Sequence, residues 1–276
     1  MGILNVTPDS FADGGLYLDP SAAEAAAVEM EARGADIIDV GGESTRPGSE
    51  SISAEAEIAR IQPVIGRLSR SLKIPISVDT SKPEVAEIAI GEGASIINDV
   101  TGLRGACSPS GGGAPRALRY DASLAEIAAR SGAGLVLMHA RGRSRDMYKD
   151  AQYASVPGEI ADELRVSLER ALAAGVPLES VVLDPGLGFA KRAEHSYAAL
   201  AALPTLAVLG CPLLVGPSRK SFLTAAVGER APADRDMATA ASVAAAVLLG
   251  AHIVRVHNVP AMVDAVRVAD AIRQQC

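Results

Sequence analysis

Short apolar runs recur along this chain, and nearly every one stops at a polar or ionisable residue. In Val181-Val182-Leu183 the run ends at Asp184, after which Pro185, Gly186 and Gly188 prevent a strand from continuing. Three apolar residues, two of them β-branched, read as a short buried strand. A carboxylate at the end of such a strand gains little stability, but a stiff turn aims it into a pocket.

The same alternation covers the chain. Strands are predicted at about 1–6, 35–40, 74–78, 95–97, 135–137, 181–183, 212–215 and 253–256. Helices are predicted at about 19–33, 53–72, 83–92, 159–174, 235–249 and 260–274, the first capped by Asp19-Pro20 and stopped by Gly34. Eight strand–helix units in 276 residues suit a closed (β/α)8 TIM barrel, read as a single α/β domain over 1–276. A doubly wound sheet is the competitor. No GxGxxG follows the first strand and no mid-chain shift in composition marks a second domain, and both count against it. No sequence repeat supports a solenoid.

Two segments stand apart. Residues 105–121 are too rich in Gly, Ser and Pro to form an element and are expected to be a mobile surface insertion after strand four. The first strand opens at residue one or two, which predicts a weakly anchored amino end.

Composition narrows the function. With 49% hydrophobic residues the chain can bury a sizeable core, and with 3% aromatic and no Trp that core must be aliphatic. The net charge of −7 argues against wholesale binding of nucleic acid or anionic membrane, so an anionic small substrate needs a local cluster of cations. Cys107, Cys211 and Cys276 are scattered and have neither disulfide-framework nor zinc spacing. No signal peptide is visible and the apolar stretch 238–250 is too short to span a bilayer, so a cytoplasmic protein is expected.

In a barrel, the loops that follow the strands share one face. Those ends carry Asn5, then Gly41-Gly42 with Arg46, Asp79, Asn98, His139, Asp184, Lys220, and Arg255 with His257. Plain structural roles compete at each. Asp79-Thr80-Ser81 could cap the next helix, Asn98 could be a turn residue, and His139 reads best as a satisfied buried histidine. Lys220 follows Ser218-Arg219, where cations oppose a helix N-terminus and so favour a bound anion. Together the ends divide into two chemistries. Arg46, Arg255 and His257 are donors for a phosphate or pyrophosphate, with Asn5 as an oxygen ligand for a magnesium ion riding on it. Asp79, Asn98 and Asp184 suit a heterocycle rich in N–H donors, such as an aminopyrimidine. Lys220 can serve either set.

Several stretches are longer than such an argument needs. Gly2-Ile3-Leu4-Asn5-Val6-Thr7-Pro8-Asp9-Ser10-Phe11 and Asp39-Val40-Gly41-Gly42-Glu43-Ser44-Thr45-Arg46-Pro47-Gly48 resemble the first two signatures of the dihydropteroate synthases. Ser77-Val78-Asp79-Thr80, Ile97-Asn98-Asp99-Val100, Leu183-Asp184-Pro185-Gly186-Leu187-Gly188-Phe189, Ser218-Arg219-Lys220-Ser221-Phe222-Leu223 and Arg255-Val256-His257 continue the match in the family's order.

The resemblance implies a homodimeric TIM barrel of folate synthesis. Its reaction joins p-aminobenzoate to 6-hydroxymethyl-7,8-dihydropterin diphosphate and releases pyrophosphate, with Mg2+ on the leaving group. By the same resemblance Asp79, Asn98, Asp184 and Lys220 hold the pterin, with Met138 and Gly216 lining its slot. Asn5 meets the Mg2+-pyrophosphate, and Arg255 and His257 hold the pyrophosphate. Thr45, Arg46 and Pro47 lie on a mobile closing loop, and Phe189, Lys220 and Ser221 bound the p-aminobenzoate pocket. The ordinary 218–223 stretch predicts sulfonamide sensitivity. Two departures are visible: a family strand or hairpin before Gly2 has no counterpart, and 105–121 is long for the family. The alternatives are a non-catalytic pterin-binding paralogue, or a methyltransferase pterin domain partnered with a corrinoid protein. Neither has reason to keep Arg46, Lys220, Arg255 and His257. A generic phosphate-sugar barrel enzyme has no need of Asp79, Asn98 and Asp184.

Overall fold

A computed structural model describes residues 1–7, 19–44, 49–104, 121–142 and 147–275. Strands and helices alternate: β1 (Gly2–Asn5), α1 (Pro20–Ala32), β2 (Ile38–Gly41), α2 (Ala54–Ser71), β3 (Ile76–Asp79), α3 (Pro83–Gly91), β4 (Ile96–Asp99), α4 (Ser123–Ser131) and β5 (Gly134–Met138). They continue through α5 (Val156–Ala173), β6 (Val181–Asp184), α6 (Ala193–Ala201), β7 (Leu214–Val215), α7 (Asp236–Leu248), β8 (Ile253–Val254) and α8 (Val259–Arg273), with one-turn helices between.

β1 to β6 form one parallel sheet in chain order, and β7 pairs with β8. Two junctions close the ring. Leu183 N–H donates to Pro212 O at 2.9 Å, joining β6 to the β7 segment, and Ile3 N–H donates to Val256 O at 2.9 Å, joining β1 to the β8 segment. The amino end is anchored by this closure: Met1 is buried, its nitrogen donates to Val254 O at 2.9 Å, and its carbonyl accepts from Val256 N–H at 3.0 Å. The expectation of a weakly held start is corrected by these bonds.

Alternation of side chains along each strand sorts the core. Leu4, Ile38, Val40, Val78, Ile97, Leu135, Leu137, Leu183, Leu213 and Val215 face the helices in one continuous apolar cluster. Met1, Val136 and Leu214, with Ile37, Ile96, Val182 and Ile253, form a second cluster that fills the barrel interior. Helix α1 illustrates the outer layer. Asp19 accepts from Ser21 N–H at 3.2 Å and Pro20 opens the helix, while Ala23 and Ala27, one turn apart, are buried. α2 buries Ile61, Val64, Ile65 and Leu68 on one face. Each such Leu or Ile contributes roughly 1.5–3 kcal/mol by leaving water, and trimming Ile65 to Ala would cost about 2–5 kcal/mol.

The strands β2 to β6 run one or two residues beyond the predicted ends, whereas β1 and β8 stop short of theirs and β7 ends where predicted. Gly41, Asp79, Asp99, Met138 and Asp184 are ladder residues, with Gly41 opposite Asp79 and Met138 opposite Asp184. The ladder therefore aims these side chains, where a turn had been expected to do it. Helices α4 and α6 had no individual sequence prediction. Of the insertion, 105–120 lies outside the described residues; Asp121 N–H donates to Leu103 O at 2.8 Å, tying the returning chain to the end of β4.

Candidate active site

Strand parity decides which polar ends converge. Ile37, Ile96, Val136, Val182, Leu214 and Ile253 point into the barrel. Two residues further along the same strands stand Asp39, Asn98, Met138, Asp184, Gly216 and Arg255. Asp79 shares its level with Asn98 through the β3–β4 register. These residues form a polar layer above the apolar interior, at the carboxyl ends of the strands.

Arg255 organises the layer. Its Nε donates to Asp39 Oδ2 at 2.6 Å and its Nη2 to Asp79 Oδ2 at 2.8 Å. Asn98 Nδ2 donates to the same Asp39 oxygen at 3.1 Å. Asp39 Oδ1 and Asp79 Oδ1 are buried and have no hydrogen-bond partner among the described residues. Burial pushes the Asp79 carboxyl up to about 7 against the pull of Arg255, with Asp39 raising it further. The layer is therefore rich in acceptors, and burial makes each unpaired one costly. Asp79 does not cap α3. The residue preceding that helix is Lys82, which makes no side-chain cap, and its N–H is met by Thr80 Oγ1 at 3.2 Å.

Asn5, Gly41 and Asp79 occupy neighbouring ladder positions. A Cβ on Gly41 would lie 3.7 Å from both Asn5 Oδ1 and Asp79 Cβ, so the glycine leaves the space between those side chains unfilled. Asn5 can offer an amide oxygen to a metal there. No group of three or more His, Cys, Asp or Glu suited to a metal occurs among the described residues. A magnesium ion bound by Asn5 and by oxygens of a diphosphate would match that ion's habit.

Across the mouth, Asp184 Oδ1 accepts from Gly186 N–H at 2.7 Å, and its carboxyl is raised by burial against the charge of Lys220. Gly186 has φ +66°, and a Cβ there would collide with the His139 carbonyl. Lys220 Nζ donates to Leu187 O and stands 4.3 Å from the centre of the Phe189 ring. Burial lowers the amine to about 8, Asp184 opposing and Arg255 assisting. Met138 is buried, Phe189 and Gly216 are half-buried, and Ser221 is exposed in the turn after Lys220. Ser218 Oγ lies 2.8 Å from His257 Nδ1 and accepts from the His257 N–H at 3.1 Å, which orients that half-buried ring. Arg219 turns away to Asp236 on α7, at 2.8 and 3.1 Å.

Over residues 1–257 the chain matches the family described as pterin binding enzyme. The dihydropteroate synthase of Synechocystis sp. is 42% identical over 272 residues, covering 99% of this chain and 89% of that protein. The chain belongs to the dihydropteroate synthase family of pterin-binding enzymes. Among solved structures, a Yersinia pestis dihydropteroate synthase with a sulfonamide drug has TM-score 0.90 at 37% identity, covering 99% of this chain and 94% of that one. A Clostridium difficile dihydropteroate synthase determined in the presence of pteroic acid has TM-score 0.86 at 40% identity, covering 99% and 95%. The closed barrel is thus the fold of the pterin-binding enzymes.

Of the residues singled out from the sequence of this pterin-binding enzyme, Asp79, Asn98, Met138, Asp184, Gly216 and Arg255 share the polar layer. Lys220 and Phe189 meet beside Asp184, and His257 is held by Ser218. Thr45, Arg46 and Pro47 lie outside the described residues. His139 belongs elsewhere. It points outward, 1% exposed, with Nδ1 2.8 Å from Lys191 Nζ and Nε2 3.1 Å from Glu163 Oε2 on α5, out of line for a hydrogen bond. Burial, with the Lys191 charge, lowers it to about 3, so the ring is neutral. Sequence reasoning missed Asp39, although its place two residues before Gly41 gives it inward parity. It also missed Ser218 and Lys191, whose histidine partners, His257 and His139, are 39 and 52 residues away.

Proposed function

We propose that the chain catalyses 7,8-dihydropteroate formation from 6-hydroxymethyl-7,8-dihydropterin diphosphate and p-aminobenzoate, with release of pyrophosphate. The observation that carries this reading is the convergence of Asp79, Asn98 and Asp184 in one buried layer with Arg255, beside Lys220 and His257. Inward carboxylates and an amide match the N–H edge of a pterin, and the cations match its diphosphate. The named relatives and the structures with a sulfonamide or pteroic acid support the same substrates.

In this reading Asp79, Asn98 and Asp184 accept from the pterin ring, with Lys220 beside it and Met138 and Gly216 lining the slot. The amine nitrogen of p-aminobenzoate forms a bond to the pterin methylene as the C–O bond breaks, pyrophosphate leaves with the electron pair, and the nitrogen gives up its surplus proton to solvent. Positive charge grows on the pterin, and the ionised form of Asp79 favours it. Arg255 has Nε and Nη2 engaged, leaving Nη1 for a departing oxygen, and His257 is oriented toward the same group by Ser218. By the family motif Arg46, with Thr45 and Pro47 beside it in sequence, would add a further cation. Mg2+, held by Asn5 and the diphosphate, would neutralise the leaving group. Phe189, Lys220 and Ser221 bound the second-substrate pocket. No nucleophilic side chain takes part; orientation and charge stabilisation carry the rate.

The exposed apolar residues Met237 and Leu248 of α7 and Val268 and Ile272 of α8, neighbouring helices, support a homodimer seated on that face. No described helix is long and apolar enough to cross a membrane. The deciding experiment is pyrophosphate release on mixing protein, pterin diphosphate, p-aminobenzoate and Mg2+, with inhibition by a sulfonamide. Folded protein that binds pterin without releasing pyrophosphate would establish the non-catalytic paralogue instead.

A further inference from the structure

The turn that follows Asp184 is held from behind, on the side away from the polar layer. Ala190 has φ +50°, a left-handed conformation that a residue with a Cβ keeps only where its surroundings over-determine it. Those surroundings are specific. Ala190 is fully buried, and its carbonyl accepts from the Tyr153 hydroxyl at 3.1 Å. Burial pushes that phenol up to about 12, so it remains a donor at neutral pH. On either side, Lys191 is 1% exposed, and its Nζ lies 3.0 Å from Phe189 O, 3.2 Å from His139 O and 2.8 Å from His139 Nδ1.

These ties persist in either protonation state of the lysine. As an ammonium it has three N–H donors for two carbonyls and the ring nitrogen. As an amine it donates to both carbonyls and accepts from an Nδ1–H tautomer. Behind His139 stands Glu163, itself paired with Arg104 and Arg141, and the Arg141 guanidinium stacks 4.1 Å from the centre of the Tyr153 ring. A fully buried lysine whose partners are backbone carbonyls and a neutral ring is a costly way to fill space. Its contacts bridge the β5 and β6 loops.

We propose that Lys191 and Tyr153 are positioning residues: a clamp behind the site that sets Phe189, and through it Lys220, for the aminobenzoate. This rests on the proposed reading of the site. The specificity for the second substrate follows from how the turn is secured. Its Asp184 end is fixed by the ladder position opposite Met138 and by Gly186 N–H on Oδ1 at 2.7 Å, neither of which involves Lys191 or Tyr153. Phe189, at the other end, has its carbonyl on Lys191 and its ring 4.3 Å from the Lys220 amine. Loosening the clamp moves Phe189 and leaves the pterin carboxylate in place.

The test is steady-state kinetics of Lys191→Met and Tyr153→Phe in the full chain, varying each substrate in turn. The KM for p-aminobenzoate should rise about tenfold in Lys191→Met and about threefold in Tyr153→Phe, with the pterin diphosphate KM within about twofold. Equal rises for both substrates, or no change in either, would overturn the proposal. Tyr153→Phe removes one half-buried hydroxyl and decides the question if Lys191→Met does not fold. Unmodified protein that releases no pyrophosphate would overturn the proposed function alone. In that case, calorimetric p-aminobenzoate affinity on pterin-loaded protein reads the clamp directly, and an unchanged affinity in both variants would dismiss it.

Discussion

Two groups of buried charge sit within one strand of each other at the carboxyl ends of the barrel, and they are built differently. The inward group, Asp39, Asp79, Asn98 and Arg255, leaves two carboxylate oxygens without partners among the described residues. The outward group is more fully paired. Glu163 is bound by Arg104 and Arg141, Arg141 also reaches Glu159 at 2.6 Å, and Lys191 Nζ meets two carbonyls and the His139 Nδ1, so that His139 Nε2 is the one orphan there among the described residues. Met138 and His139, adjacent in sequence, belong one to each side. Unmet acceptors suit recognition, because a ligand can satisfy them; met ones suit support, because they hold loops in place.

The largest effect that could break this contrast is expected at Asp79. Asp79→Asn should weaken turnover by about a hundredfold or more, since a pterin donor would face an amide, as read by pyrophosphate release. The same variant tests stability. Asp79 has its folded pKa raised to about 7, so its contribution is fully present below about pH 4 and is lost as pH rises through about 7. The neutral amide removes that dependence. Its melting temperature should fall less than that of the unmodified protein across that window, and an identical pH slope would show that Asp79 is not strained.

Asp184→Ala should come next, with pterin affinity reduced by about tenfold to a hundredfold and little loss of fold. A collapse in thermal stability would move Asp184 into the supporting class. Asp39→Asn sharpens the comparison from the inside. It weakens the anchor shared by Arg255 and Asn98, and kcat should fall about tenfold while the fold persists. For the outward group the order reverses. Glu163→Ala takes from Arg104 its carboxylate partner and leaves Arg141 with Glu159, and should cost about 3 kcal/mol of stability, read by denaturant unfolding, with pterin affinity held. The smallest effect is expected for Arg130→Ala, because its pair with Glu87 is exposed on both sides, 62% and 64%. No shift in melting temperature should be measurable.

Much of this was legible in advance. Apolar runs ending in Asp79, Asn98 and Asp184 announced both the strand count and the face that carries chemistry, because buried parallel strands must be apolar until they reach their ends. Asp39 was not announced. It sits inside an apolar run, where an acid reads as an exception until Arg255, 216 residues away, is seen to pair with it. His139 shows the converse. Its position at a strand end matched the others, and only parity turned it outward toward Glu163.

What the sequence determined by itself, then, was periodicity: which residues form strands, which end them, and which motifs the chain shares with its family. Local spacing is sufficient for that, since strand and helix patterns repeat over two to four residues. The tertiary structure decided pairing. Closing the sheet set the register of β6 against β7 and of β8 against β1, and with it which side of each strand end faces the barrel axis. A one-residue slip would exchange Met138 for His139 and Asp39 for Val40. No local signal can specify that choice, because it depends on contacts between residues at opposite ends of the chain.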